Sequence, residues 1–193
     1  TASTSEAYVL LFSTLCDPGQ AIAVPHPSYP LFEPLAAAAG VRVVPYRLAY
    51  DGRWHLDAAS LEQAIAPDVR AVILVQPNHP TGTCLAPDEL ATVERECARH
   101  GAAIISDEVF GDFGWDAALH LPGGVRGLIP APGPRLPSAL GDRAVPCFAL
   151  GGLSKSCGMP QLKLAWIAAA GPAPERARCL EGLEWLADLL LSV

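Results

Sequence analysis

The sequence predicts an α/β fold, a mostly parallel sheet with helices on both faces in three layers. Three observations lead there. Short strand-like runs alternate with helical patterns along the chain. The runs are continuously apolar, as in "AVILV" (71–75), where a half-exposed strand would alternate apolar with polar. Turn signals such as "DPG" (17–19) separate the units.

Taken in order, "SEAYVLLFSTLC" (5–16) reads as a helix stopped by that turn, and "AIAV" (21–24) as a short buried strand. "YPLFEPLAAAAG" (29–40) is a helix ending in glycine, "VRVVPY" (41–46) a strand, and "DAASLEQAI" (57–65) a helix. "AVILVQ" (71–76) is the next strand. "APDELATVERECARHG" (86–101) has an acidic first turn and a glycine stop, both helix signals. "AAIISDE" (102–108) follows as a strand. From 114 to 146 the chain is rich in Pro and Gly and reads as a long surface excursion before the strand "VPCFAL" (145–150). "PERARCLEGLEWLADLLLSV" (174–193) is a long amphipathic helix, and no internal repeat is visible.

Size and composition set the remaining bounds. A chain of 193 residues, 51% of them hydrophobic, reads as one domain with an ample core. Its apolar runs fall short of the roughly 18 residues of a membrane span. A net charge of −7 with scattered arginines argues against a nucleic-acid or anionic-membrane surface. The six cysteines show neither CxxC nor zinc spacing, and they read as reduced thiols of a cytoplasmic protein.

Four stretches carry chemistry. Only two of the thirteen basic residues are lysines, Lys155 and Lys163, both within "GGLSKSCGMPQLKLAW" (151–166). Lys155 follows a strand and a short turn, where a desolvated amine becomes a nucleophile toward carbonyls, which arginine cannot. An ordinary surface charge is the plainer alternative. "QPNHPTGT" (76–83) is a stiff strand-end turn able to aim Asn78 or His79 at a ligand, or merely to lead into a helix. "ISDEVFGDF" (105–113) sets two carboxylates at a strand end, suited to a protonated ring nitrogen or to a simple cap. "TASTSEA" (1–7) sets hydroxyl residues ahead of a helix, as an anion site or an N-cap.

With these stretches in this order, the whole chain resembles the large domain of the class I/II aminotransferases, fold-type I enzymes that use pyridoxal 5′-phosphate (PLP). "PNHPTG" (77–82), "SDEVF" (106–110) and "LSKSCGMPQLKLAW" (153–166) carry the likeness, supported by "DPGQAIAVPHPSYPLF" (17–32). The resemblance implies that Lys155 is the lysine of the internal aldimine, with Ser154 beside it. It makes Asp107 the acid paired with the pyridine nitrogen and Tyr29 the aromatic stacked on the ring. Ser3, Thr4 and Ser5 fall at the family's phosphate loop, and Lys163 where an arginine usually binds the phosphate. His79 stands where the family has Asn, Phe110 where it often has Tyr, and Gly152 where Ser or Thr is common.

The implied function is transamination between an amino acid and a 2-keto acid. Freed Lys155 would act as general base and the ring as electron sink. A C–S β-lyase or decarboxylase on the same scaffold, or a non-catalytic PLP-sensing regulator, would share these residues. The resemblance further implies a homodimer. It also implies that residues 1–193 are one PLP-binding domain, incomplete at both ends and not expected to turn over alone.

Overall fold

The computed structural model describes residues 1–113 and 136–191. Strands β1 (Ala21–His26), β2 (Arg42–Tyr50), β3 (Trp54–Leu56), β4 (Val69–Val75), β5 (Ala103–Asp107), β6 (Cys147–Gly152) and β7 (Ala165–Ala170) form one sheet. Its order is β3-β2-β1-β4-β5-β6-β7. β2, β1, β4, β5 and β6 run parallel, while β3 and β7 are antiparallel to their neighbours. The helices are α1 (Thr4–Leu15), α2 (Phe32–Ala38), α3 (Ala58–Ala64), α4 (Pro87–His100), α5 (Leu153–Ser156) and α6 (Ala173–Leu191).

The continuously apolar strands are buried on both faces, because the pleat sends alternate side chains to opposite layers. Ile22, Ala71, Ile73, Ile105 and Phe148 pack toward α1, α2 and α6, in a cluster with Leu11, Phe12, Phe32 and Leu183. Ala21, Val72, Leu74, Ile104 and Cys147 face the other way, toward Leu61 and Ala64 of α3 and Val93 and Cys97 of α4. Each large aliphatic side chain so buried contributes about 1.5–3 kcal/mol. α6 closes on α1 where Gly182 meets Thr14: a Cβ at Gly182 would lie 3.0 Å from the threonine methyl.

α4 spans nearly the predicted range. Asp88 and Glu89 sit in its first turn, and Gly101 ends it with φ of 68°, a left-handed conformation that suits glycine. Glu89 also accepts from the Leu56 N–H (2.8 Å), tying β3 to the helix.

The structure departs from the sequence reading at both sheet edges. β2 continues past the expected Tyr46 to Tyr50 and folds back on β3 through a turn at Gly52, whose φ is 108°. β7 pairs with β6 in the antiparallel sense, Gly151 opposite Trp166. α2 starts at Phe32, so Tyr29 lies in the loop ahead of it. Most of the predicted excursion, residues 114–135, lies outside the described residues. Its return is anchored by buried Ala139 and Val145. Among the described residues no helix is long and apolar enough to cross a membrane.

Candidate active site

In a parallel sheet every strand delivers its last residue to the same edge, where α/β folds gather ligands. β4 and β5 pair Val75 with Asp107, and β5 and β6 pair Asp107 with Leu150. That register places Asp107 beside the turn into α5, which carries Lys155. A cavity of about 250 Å³ opens there, with Asp107, Lys155, Tyr29, His79 and Phe110 among its lining residues. A hollow of about 500 Å³ lies at the opposite edge, near Gln20, Arg70 and Ala103, away from the strand carboxyl ends.

Asp107 is buried, and burial pushes its carboxyl above the ordinary 3.8; hydrogen bonds from Val109 and Tyr8 pull the other way, and the Glu108 charge adds to the rise. The Val109 N–H donates to Oδ1 at 3.1 Å, and the Tyr8 hydroxyl donates to Oδ2 at 2.9 Å. Tyr8, on α1, is fully buried, and burial followed by the Asp107 charge drives its phenol well above the usual range. The next residue, Glu108, turns the other way. Its Oε1 accepts from Ser106 Oγ (3.1 Å), Ser138 Oγ (2.9 Å) and the Ala139 N–H (2.7 Å). The two carboxylates thus have separate work, Asp107 at the cavity and Glu108 on the returning chain.

Lys155 sits on the single helical turn α5, steadied by a hydrogen bond from Ser156 Oγ to the Gly152 carbonyl (3.0 Å). The sequence reading expects a desolvated amine, whereas the side chain is exposed at the cavity rim. Its Nζ lies 5.8 Å from the centre of the Phe110 ring, within cation–π reach. Gly152 also lines the cavity. A Cβ there would lie 3.1 Å from the Ala165 Cβ and 3.2 Å from the Leu164 carbonyl oxygen, so the antiparallel β7 crowds any larger residue.

Tyr29 meets His79 edge-on, with centroids 6.2 Å apart, and meets Phe32 at 5.9 Å. His79 and Asn78 come from the same turn but differ in role. His79 lines the cavity; Asn78 lies outside the lining, and its amide is used internally. Asn78 Nδ2 donates to the Pro27 carbonyl (3.1 Å) and to Thr81 Oγ1 (2.9 Å), and Oδ1 accepts from Ser28 Oγ (3.3 Å). Asn78 therefore holds the loop that carries Tyr29.

Thr1 pairs with Ala165 through two backbone hydrogen bonds (3.1 and 2.8 Å), which brings the start of α1 to the cavity. Ser3 caps the helix, its Oγ accepting from the Glu6 N–H at 3.1 Å. Ser3, Thr4 and Ser154 line the cavity, while Ser5 and Lys163 do not. Lys163 is exposed in a left-handed conformation, φ 50°, after the 3-10 turn Pro160–Leu162. Tyr8 is the site residue that sequence reasoning missed. A tyrosine inside the apolar run "SEAYVLLF" reads as core, and its partner is 99 residues away.

Fold and site together define a three-layer α/β domain with a lysine, a buried aspartate and an aromatic wall at the strand carboxyl ends. The chain belongs to the family described as aminotransferase class I and II, which matches residues 1–189. It is 29% identical over 172 residues to nicotianamine aminotransferase 1 of Oryza sativa subsp. japonica, covering 89% of this chain and 32% of the relative. It is 27% identical over 187 residues to an alanine aminotransferase of Mycobacterium bovis, covering 97% and 40%. The solved alanine aminotransferase of Pyrococcus furiosus superposes with a TM-score of 0.82 at 26% identity, covering 98% of this chain and 44% of that one. The chain thus spans about a third to under a half of the length of these relatives.

Proposed function

We propose that the chain is the cofactor-binding large domain of a PLP-dependent aminotransferase, which moves an amino group between an amino acid and a 2-keto acid. The observation that carries this reading is the convergence of Lys155, Asp107 and Tyr29 on one cavity. The donor set suits PLP. Lys155 offers an amine to an aldehyde, buried Asp107 an acceptor to a ring nitrogen, and Tyr29 an aromatic wall. Ser3, Thr4 and Ser154 offer hydroxyls to a phosphate at the start of a twelve-residue helix. Lys163, outside the lining, adds long-range positive charge alone.

When bound, PLP supplies the aldehyde that exchanges amines and the ring that takes up electrons from the substrate α-carbon. The protein's part is placement and proton transfer. Asp107 would set its carboxylate against the ring nitrogen and keep a proton on that atom. Tyr29 would supply the aromatic wall against which the ring stacks. Lys155 Nζ would serve as the general base that takes the substrate α-proton and as the general acid that returns it. Phe110, where a hydroxyl-bearing tyrosine is common in the family, lies beside the amine and offers it no hydrogen bond.

Exposed Met159, Leu162, Leu164 and Trp166 flank this site, and a second copy of the chain is the proposed cover, as in a homodimer. Six free thiols favour a reducing, cytoplasmic location.

Equilibrium titration with PLP, followed by visible absorption, tests the reading. The chain is expected to develop a lysine-linked chromophore that Lys155→Ala abolishes. An identical spectrum from Lys155→Ala would overturn it.

A further inference from the structure

We propose that Tyr8 is a positioning residue for Asp107, its buried hydroxyl locking the carboxylate in the orientation that serves the cavity. This rests on reading Asp107 as the acceptor for the cofactor's ring nitrogen. A carboxylate has about four lone-pair sites on its two oxygens. Val109 N–H takes one on Oδ1 and Tyr8 O–H one on Oδ2, so both oxygens are pinned and the group cannot rotate. One acceptor site on each oxygen is left for a ligand. Without the Tyr8 bond, a single backbone donor would hold a buried anion.

The phenol is itself held in place. Its ring packs against Phe12 at 5.6 Å and edge-on against Phe32 at 5.3 Å. Phe32 in turn meets Tyr29, which lines the cavity. One side chain of α1 therefore braces the charged floor of the site directly and the aromatic wall through a single ring. The same helix presents Ser3 and Thr4 one turn earlier, at its N-terminus. A shift of α1 would move the phosphate donors, the Asp107 clamp and the Tyr29 support together.

Tyr8→Phe removes one oxygen atom and keeps the ring, so packing with Phe12 and Phe32 is retained. Carbon-13 NMR of the side-chain carboxyl of Asp107, read without cofactor, reports the clamp directly. The titratable and charged groups around it are Tyr8 on α1, Glu108 beside it, and Tyr29, His79 and Lys155 on the cavity wall. The expected result is a midpoint moved to higher pH in Tyr8→Phe, with PLP affinity about tenfold weaker. Phe12→Leu, which loosens the same cluster and keeps the hydroxyl, is expected to lower Tm and leave both readings in place. An unmoved Asp107 midpoint in Tyr8→Phe, or an equal movement in Phe12→Leu, would overturn the proposal. Failure of the unsubstituted chain to bind PLP would sink the cofactor reading alone, since the carboxylate titration is measured without it.

Discussion

The indole of Trp166 lies against Gly151, its directly opposite residue across β6 and β7: a methyl group on Gly151 would come within 2.6 Å of Cε2, Cζ2 and Nε1. The aromatic covers the glycine on an antiparallel pair beside the lysine turn, a known way to pin strand register. Gly151→Ala is expected to cost about 1–3 kcal/mol by displacing the indole. In a Trp166→Ala background the same change is expected to be nearly neutral. Urea unfolding of the two singles and the double decides it, and equal costs in both backgrounds would refute the contact.

Glu108 ties the chain that returns from the long excursion to the end of β5, with one oxygen accepting from Ser106, Ser138 and Ala139. Glu108→Ala strands these donors in a buried setting and is expected to destabilise the chain by about 2–3 kcal/mol. Hydrogen exchange at Ala139 should quicken. Protection there equal to the parent's would show that the carboxylate is not the anchor.

Asp107 has the opposite sign. Burial raises its folded pKa above the ordinary 3.8, so above pH 3.8 the folded state binds more protons than the unfolded chain. Its contribution to stability is therefore full below pH 3.8 and is lost as pH rises through the folded value. Ionising this buried carboxyl therefore opposes folding. Cofactor-free Asp107→Asn is expected to be at least as stable as the parent at pH 7, with a flatter dependence on pH above 3.8. Its PLP affinity is expected to fall at least about tenfold. Urea midpoints across that window, with PLP titrations alongside, check both halves.

Much of this was legible in the sequence because local signals agreed with the final packing. α4 has its acids, its apolar stripe and its glycine stop in the chain itself. The parallel core is read from uninterrupted runs such as "AVILV". The edges were less legible. β3 is only three residues long, and the antiparallel direction of β7 is set by its pairing with Gly151 and Gly152, not by its own "AWIAAA".

At the site, Lys155, Asp107, Tyr29 and His79 stand out because polar or aromatic residues close apolar strands. Tyr8 does not stand out, since its meaning depends on a partner far along the chain. Asn78 looked like a ligand contact by residue type alone. Its three hydrogen bonds brace the loop that carries Tyr29, a use that only the fold reveals.

The central claim is that Lys155 is the amine that joins the cofactor. Borohydride reduction after incubation with PLP, followed by peptide mass mapping, tests it most directly. The chain has only two lysines, so the result is nearly binary. The account predicts a phosphopyridoxyl group on Lys155 and none on Lys163, which is exposed outside the cavity. Label on Lys163 with Lys155 unmodified would contradict it.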